Sequence, residues 1–85
     1  VNGLTGVQRR VLRFVMDYYI EHGQFPYTRI IADALDSHHS SVAMTLLRLQ
    51  AKGYIARELN GPSKVLRDED GYQVVAIGRF ERVKK

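Results

Sequence analysis

His38, His39, Ser40 and Ser41 are four consecutive polar side chains that could ligate, attack or cap. With His22, the pair His38-His39 raises metal binding, but adjacent histidines do not share one helical face. No Cys is present and no two His lie at i,i+4, so the spacing that zinc needs is missing and no metal site is expected. Asp68, Asp70 and Gly71 hint at calcium, yet the loop is too short for an EF-hand and lacks the distal Glu. It reads as a turn. Ser40 and Ser41 sit in no nucleophile elbow, and a helix start explains them better. No acid–base pair emerges from spacing, so the sequence reads as a non-enzyme with no cofactor and no small-molecule ligand. The remaining chemistry is recognition: short donors at the positive end of a helix suit phosphate groups and base edges.

The totals agree with that class without proving it. The 85 residues carry 13 Lys and Arg against 9 Asp and Glu, for a net charge of +4. A basic domain is compatible with a polyanionic partner, although excess charge of this size is also common on proteins that bind no anion. With 45% hydrophobic and 26% charged residues the chain reads as one globular domain over 1–85, with disordered ends at 1–3 and 84–85. No disulfide framework exists, which suits a reducing cytosol. No apolar run approaches the ~20 residues needed to span a membrane, and no signal peptide is visible.

The elements that must position the polar cluster follow from pattern. Thr5 and Gln8 form the two ends of a capping box, and Gly23 supplies a C-terminal stop, giving a first helix from Thr5 to His22. Val7, Val11, Phe14, Val15 and Tyr18 recur at helical spacing as its buried stripe, widened by Leu12 and Tyr19. Arg9, Arg10 and Arg13 lie on or near the opposite face. A solvated face is the default for such residues, with phosphate contact as the alternative. Phe25-Pro26 runs extended, and Thr28 caps a short helix from Arg29 to Leu35. Asp36-Ser37-His38 is a turn, and Ser37 or His38 caps a helix from His39 to about Lys52, Ser37 being chemically the better cap. On that helix Val42, Leu46 and Leu49 share one face. Ser40, Met44, Leu47 and Ala51 share the opposite one, flanked by Ala43 and Arg48.

After Gly53 the period changes. Tyr54–Leu59 and Lys64–Arg67 read as strands around an Asn60-Gly61-Pro62-Ser63 turn, and Tyr72–Ile77 as a third strand rich in β-formers. Arg79–Lys85 reads as a basic tail. Tyr72, Val74 and Phe80 share one parity and Val75 and Ile77 the other, so this segment is apolar on both faces. A second protomer is one way to cover it, and homodimerisation through residues 72–83 is expected on that ground.

Ile31-Ala32-x-x-Leu35 … Val42-x-x-x-Leu46-x-x-Leu49-x-x-Lys52-Gly53-Tyr54-Ile55 resembles the winged helix-turn-helix superfamily of bacterial regulators. Leu4-Thr5-Gly6-Val7-Gln8, Phe25-Pro26 and Asn60-Gly61-Pro62-Ser63-Lys64 are similar, more narrowly, to the DNA-binding domain of LexA-type repressors, over about residues 4 to 67. The resemblance implies an α+β fold of three helices and a small antiparallel sheet, the wing hairpin plus a C-terminal strand. It implies a sequence-specific transcriptional regulator of a bacterium or phage, a repressor by family habit, working in the cytoplasm at the nucleoid. The third helix would enter the major groove of double-stranded DNA and the wing would lie on the backbone or in the minor groove. This sequence departs from the pattern at Ser37, where such turns carry a packed apolar residue, and at His38, where they carry the capping Ser. The Ser–Lys dyad of the LexA peptidase domain is not among these residues, so self-cleavage is not implied.

Placed on that frame, the DNA-binding candidates are Thr28, Arg29, His38, His39, Ser40, Ser41, Ala43, Met44, Arg48, Asn60, Gly61, Ser63 and Lys64. His38 to Ser41 face phosphate or base edges, and Ala43 and Met44 can meet a thymine methyl. Arg48 reaches phosphate or guanine. Arg29 holds the backbone from the preceding helix, and Lys64 is the wing contact. The face is poor in the Arg, Asn and Gln that make bidentate base contacts, so binding by one protomer is expected to be weak and carried mostly by charge. The rival reading is a winged helix that docks or pairs proteins, with Ala43, Met44 and Leu47 as its contact patch.

Overall fold

The computed structural model describes residues 3–57, 63–76 and 80–83. The expectations for Leu59, Asn60, Gly61, Pro62 and Ile77, and for the ends 1–2 and 84–85, lie outside the described residues.

The first helix, α1, spans Gly6–His22. Its start is a complete capping box: the Gln8 N–H donates to Thr5 Oγ1 at 3.1 Å, and the Thr5 N–H donates to Gln8 Oε1 at 3.2 Å. Two donors that a helix start would leave unpaired are thereby satisfied. Gly23 closes the helix at φ 70°, a left-handed conformation that costs glycine little. The buried stripe is Gln8, Val11, Leu12, Val15 and Met16, rotated from the expected one. Val7 is 58% exposed, and Phe14, Tyr18 and Tyr19 are only half-buried. The stripe follows from the neighbours: α1 packs on the third helix and, more lightly, on the second, with Val11, Leu12, Val15 and Met16 in the shared core and Phe14 and Tyr19 at its edge.

The second helix, α2, spans Thr28–Ala34. Thr28 is its first helical residue, and Tyr27 occupies the cap without a side-chain hydrogen bond. The expectation that Thr28 caps this helix is therefore corrected by one position. Pro26 and the half-buried Phe25 close the core just before it. The chain leaves α2 through a Schellman turn. The Ser37 N–H bonds back to the Ala32 carbonyl at 2.9 Å and the Asp36 N–H to the Asp33 carbonyl at 3.4 Å. Asp36 takes the left-handed position that such a turn demands, at φ 53°; aspartate tolerates that region better than most side chains.

The third helix, α3, spans His39–Ala51 with His38 as its cap residue. Neither expected capping side chain does the capping. His38 makes no side-chain bond to the helix, and Ser37 Oγ donates instead to the Leu35 carbonyl at 3.3 Å. Val42, Leu46 and Leu49 are sealed inside, as their spacing predicts, together with Thr45, whose hydroxyl donates to the Ser41 carbonyl at 3.0 Å. A second Schellman turn ends the helix: the Gly53 N–H reaches the Gln50 carbonyl and the Tyr54 N–H the Leu49 carbonyl, both at 3.0 Å. Gly53 sits at φ 86°, and the flanking Leu49 and Tyr54 are both buried, the apolar contact that accompanies this turn.

Two short strands follow, β1 (Ile55–Ala56) and β2 (Lys64–Val65), antiparallel with Ile55 opposite Val65 and Ala56 opposite Lys64. Ile55 and Val65 close the open side of the helical core, which unites Val11, Leu12, Val15, Ile31, Ala32, Val42, Leu46 and Leu49. Beyond it the chain makes the expected Asp68–Gly71 turn. Its Asp68 carboxylate is buried and accepts the backbone N–H groups of Asp70 and Tyr72, each at 2.9 Å.

The C-terminal strand departs from expectation. β3 (Gln73–Ala76) does not join the wing sheet. It pairs with β4 (Phe80–Val83), from the segment read as a tail, in a separate antiparallel ladder with Gln73 opposite Val83 and Ala76 opposite Phe80. The α+β class of three helices and a winged hairpin holds, with this second ladder added.

Asp36 is the pivot between α2 and α3, and its backbone angle is the local test. Asp36→Val should lower stability by about 1–2 kcal/mol, since a β-branched residue is poorly accommodated at positive φ. Asp36→Asn should be near neutral. Urea unfolding followed by circular dichroism measures both.

Candidate nucleic-acid interface

Anchoring by Val42, Leu46 and Leu49 turns the other side of α3 outward. Ser40, Ser41, Met44, Leu47, Arg48 and Ala51 are exposed there, and Ala43 is half-buried on the flank. His38 and His39 are exposed at its start. The cap residue His38 makes no side-chain bond to the first N–H groups of α3. Arg29 is exposed and Thr28 half-buried on α2. On the wing, Lys64 is exposed and Ser63 half-buried, while Asn60 and Gly61 lie outside the described residues.

An open groove of about 390 Å³ brings two of these candidates together. Thr28 and Ser63 line it from α2 and from the wing, along with Tyr27, Pro26 and Arg57. Tyr27 and Arg57 were missed by sequence reasoning. Tyr27 is 76% exposed, the most open large hydrophobic residue among those described, and Arg57 is an exposed cation just past β1. The signal for Arg57 was a basic residue following the buried Ile55 by two positions. Tyr27 had none beyond standing next to Thr28.

The cations divide by what they already hold. Arg13 pairs with Glu69 at 3.3 Å, and Arg9 donates to the Glu69 carbonyl at 3.4 Å. The basic face of α1 is therefore partly engaged by the Asp68–Gly71 turn, which neither the solvated nor the phosphate reading anticipated. Arg67 donates to the Gly71 carbonyl at 3.2 Å. Lys52 reaches Gln8 Oε1 at 2.7 Å and the Gly3 carbonyl, tying the end of α3 to the capping box of α1. Among the described residues, Arg10 on α1 and Arg29, Arg48, Arg57 and Lys64 on α2, α3 and the wing have no ion pair or side-chain hydrogen bond, so their charge is available outward.

A three-helix core whose second and third helices meet at a tight turn, followed by a β-hairpin, defines a winged helix-turn-helix domain. The family model described as "LexA DNA binding domain" matches residues 1–63. The chain belongs to that family. It is 41% identical over 73 residues to the LexA repressor of Corynebacterium jeikeium, covering 84% of this chain and 27% of that protein. It is 44% identical over 63 residues to the LexA repressor of Thermobifida fusca, covering 73% of this chain and 25% of that one. To LexA repressor 1 of Nocardia farcinica it is 32% identical over 84 residues, with 84% of this chain and 39% of the relative covered. The chain thus spans well under half the length of these relatives.

The division among cations gives a direct test with duplex DNA. Arg48→Ala and Lys64→Ala should each lower the slope of log K against log salt by about one. Arg13→Ala should leave that slope unchanged, because its partner is Glu69. Fluorescence anisotropy titrations across a salt series read all three.

Proposed function

We propose that this chain is the sequence-specific DNA-binding part of a transcriptional repressor, acting on double-stranded DNA at the bacterial nucleoid in the cytoplasm. α3 lies in the major groove. His38, His39, Ser40 and Ser41 meet phosphate and base edges, Ala43 and Met44 face thymine methyls, and Arg48 reaches phosphate or guanine. Arg29 and the α2 start hold one backbone. Lys64, Ser63, Asn60 and Gly61, with Arg57 beside Ser63, serve as the wing contact on backbone or minor groove.

The observation that carries this reading is the outward face of α3: Ser40, Met44 and Arg48 are exposed while Val42, Leu46 and Leu49 are sealed. Membership of the LexA DNA-binding domain family supports the same assignment. The exposed cations on α2, α3 and the wing add the charge that a duplex requires.

The protein works as a homodimer, paired through residues 72–83. Two considerations support this. The reading face has few bidentate donors, so one protomer binds weakly, and two half-sites about one helical turn apart recover affinity and specificity. Among the described residues the β3–β4 ladder has two strands, an arrangement that is marginal by itself and gains from further cover.

Selection of bound sites from random duplex DNA should return a motif repeated with two-fold symmetry. A pool with no enrichment, or binding with no salt dependence, contradicts the DNA reading. Sedimentation at high protein concentration should show a dimer; monomer alone contradicts the pairing.

A further inference from the structure

The centre of the outward face of α3 is apolar. Ser40, Met44, Leu47 and Ala51 lie opposite the buried seam, and of these only Ser40 carries a polar side chain. Met44 is 52% and Leu47 54% exposed, so two large apolar side chains stand in water at the middle of the surface. We infer that this face selects thymine through its 5-methyl group, with Met44 and Leu47 as the specificity-determining contacts. The inference rests on the reading of α3 as the helix that enters the major groove.

The thymine methyl is the one apolar group that a base pair displays in the major groove. Against it, a thioether or isobutyl group buries carbon on carbon and gains the usual apolar transfer energy. The polar groups at the groove edge, N7, O6 and the N4 amino group of G·C or N7, the N6 amino group and O4 of A·T, lose water at a cost common to both pairs. The methyl is therefore what discriminates.

Met44 and Leu47 are three residues apart, a rise of roughly 4.5 Å along the helix axis, and share one outward face. Both side chains therefore meet the same short stretch of groove, and the half-site should contain A·T pairs there. Arg48, next to Met44 on the outward side, is left to hold phosphate or a flanking guanine.

The test uses the protein unaltered. Duplexes that it selects from random DNA are remade with deoxyuridine in place of thymidine, which removes the methyl and leaves every hydrogen-bonding edge intact. Binding should weaken by about fourfold for each methyl that was buried. In a protein with Met44→Ser and Leu47→Ser, the thymidine-to-deoxyuridine affinity ratio should fall to what the methyl contact of Ala43 alone supplies, about fourfold or less, while the salt slope stays as in the unaltered protein. Equal affinity of the unaltered protein for thymidine and deoxyuridine forms of a selected duplex overturns this inference and leaves the DNA reading standing. Failure to select any duplex overturns both.

Discussion

The burial of one side of α3 is the constraint on which the rest depends. Val42, Leu46 and Leu49 lie at 2%, 1% and 0% exposure, so the rotation of the helix about its axis is fixed. Each such side chain contributes about 1.5–3 kcal/mol by leaving water. Turning the helix to bury Met44 and Leu47 instead would expose all three. The outward face is thus an inevitable product of the inward one, and every functional side chain on it inherits its direction from the core.

The two Schellman turns set where that helix begins and ends. Asp36 at positive φ swings the chain from α2 into α3, and Gly53 swings it from α3 into the wing. Lys52 ties the far end back to Gln8, and Gln8 is also the acceptor in the capping box of α1. One amide oxygen therefore links the start of α1 to the end of α3. The wing is held by Ile55 and Val65, which complete the same core and keep Lys64 on the outer side. Arg9, Arg13, Arg67 and Lys52 hold the turn after the wing or the helix ends, whereas Arg29, Arg48, Arg57 and Lys64 are left outward on α2, α3 and the wing, as is Arg10 on α1.

Much of this was legible in residue order, because most of it is local. The capping box of Thr5 and Gln8 and the stops at Gly23 and Gly53 needed only neighbours within a turn. So did the 42/46/49 seam. What could not be read depends on distant partners. The α1 stripe was rotated by its packing against α3, which exposed Val7 and buried Gln8. Glu69 lies 56 positions from Arg13 in sequence, and no local pattern pairs them. The tail at 80–83 reads as basic and charged, yet it gains a ladder from β3 that composition does not announce. At the helix-turn-helix corner, chemistry favoured Ser37 as the cap, but the turn placed its hydroxyl on the Leu35 carbonyl. The candidate site was legible to the extent that helical spacing alone set it. Arg57 and Ser63 join Tyr27 and Thr28 around one groove only through tertiary structure.

The most direct measurement is a map of backbone amide chemical shifts as duplex DNA is added. Changes concentrated at residues 38–48, with further ones at 28–29, 57 and 63–64, and little along the Arg9–Asp17 face of α1, are the predicted result. Changes centred on α1 or on the β3–β4 ladder, with α3 undisturbed, would contradict the claim that burial of Val42, Leu46 and Leu49 presents the reading face to DNA.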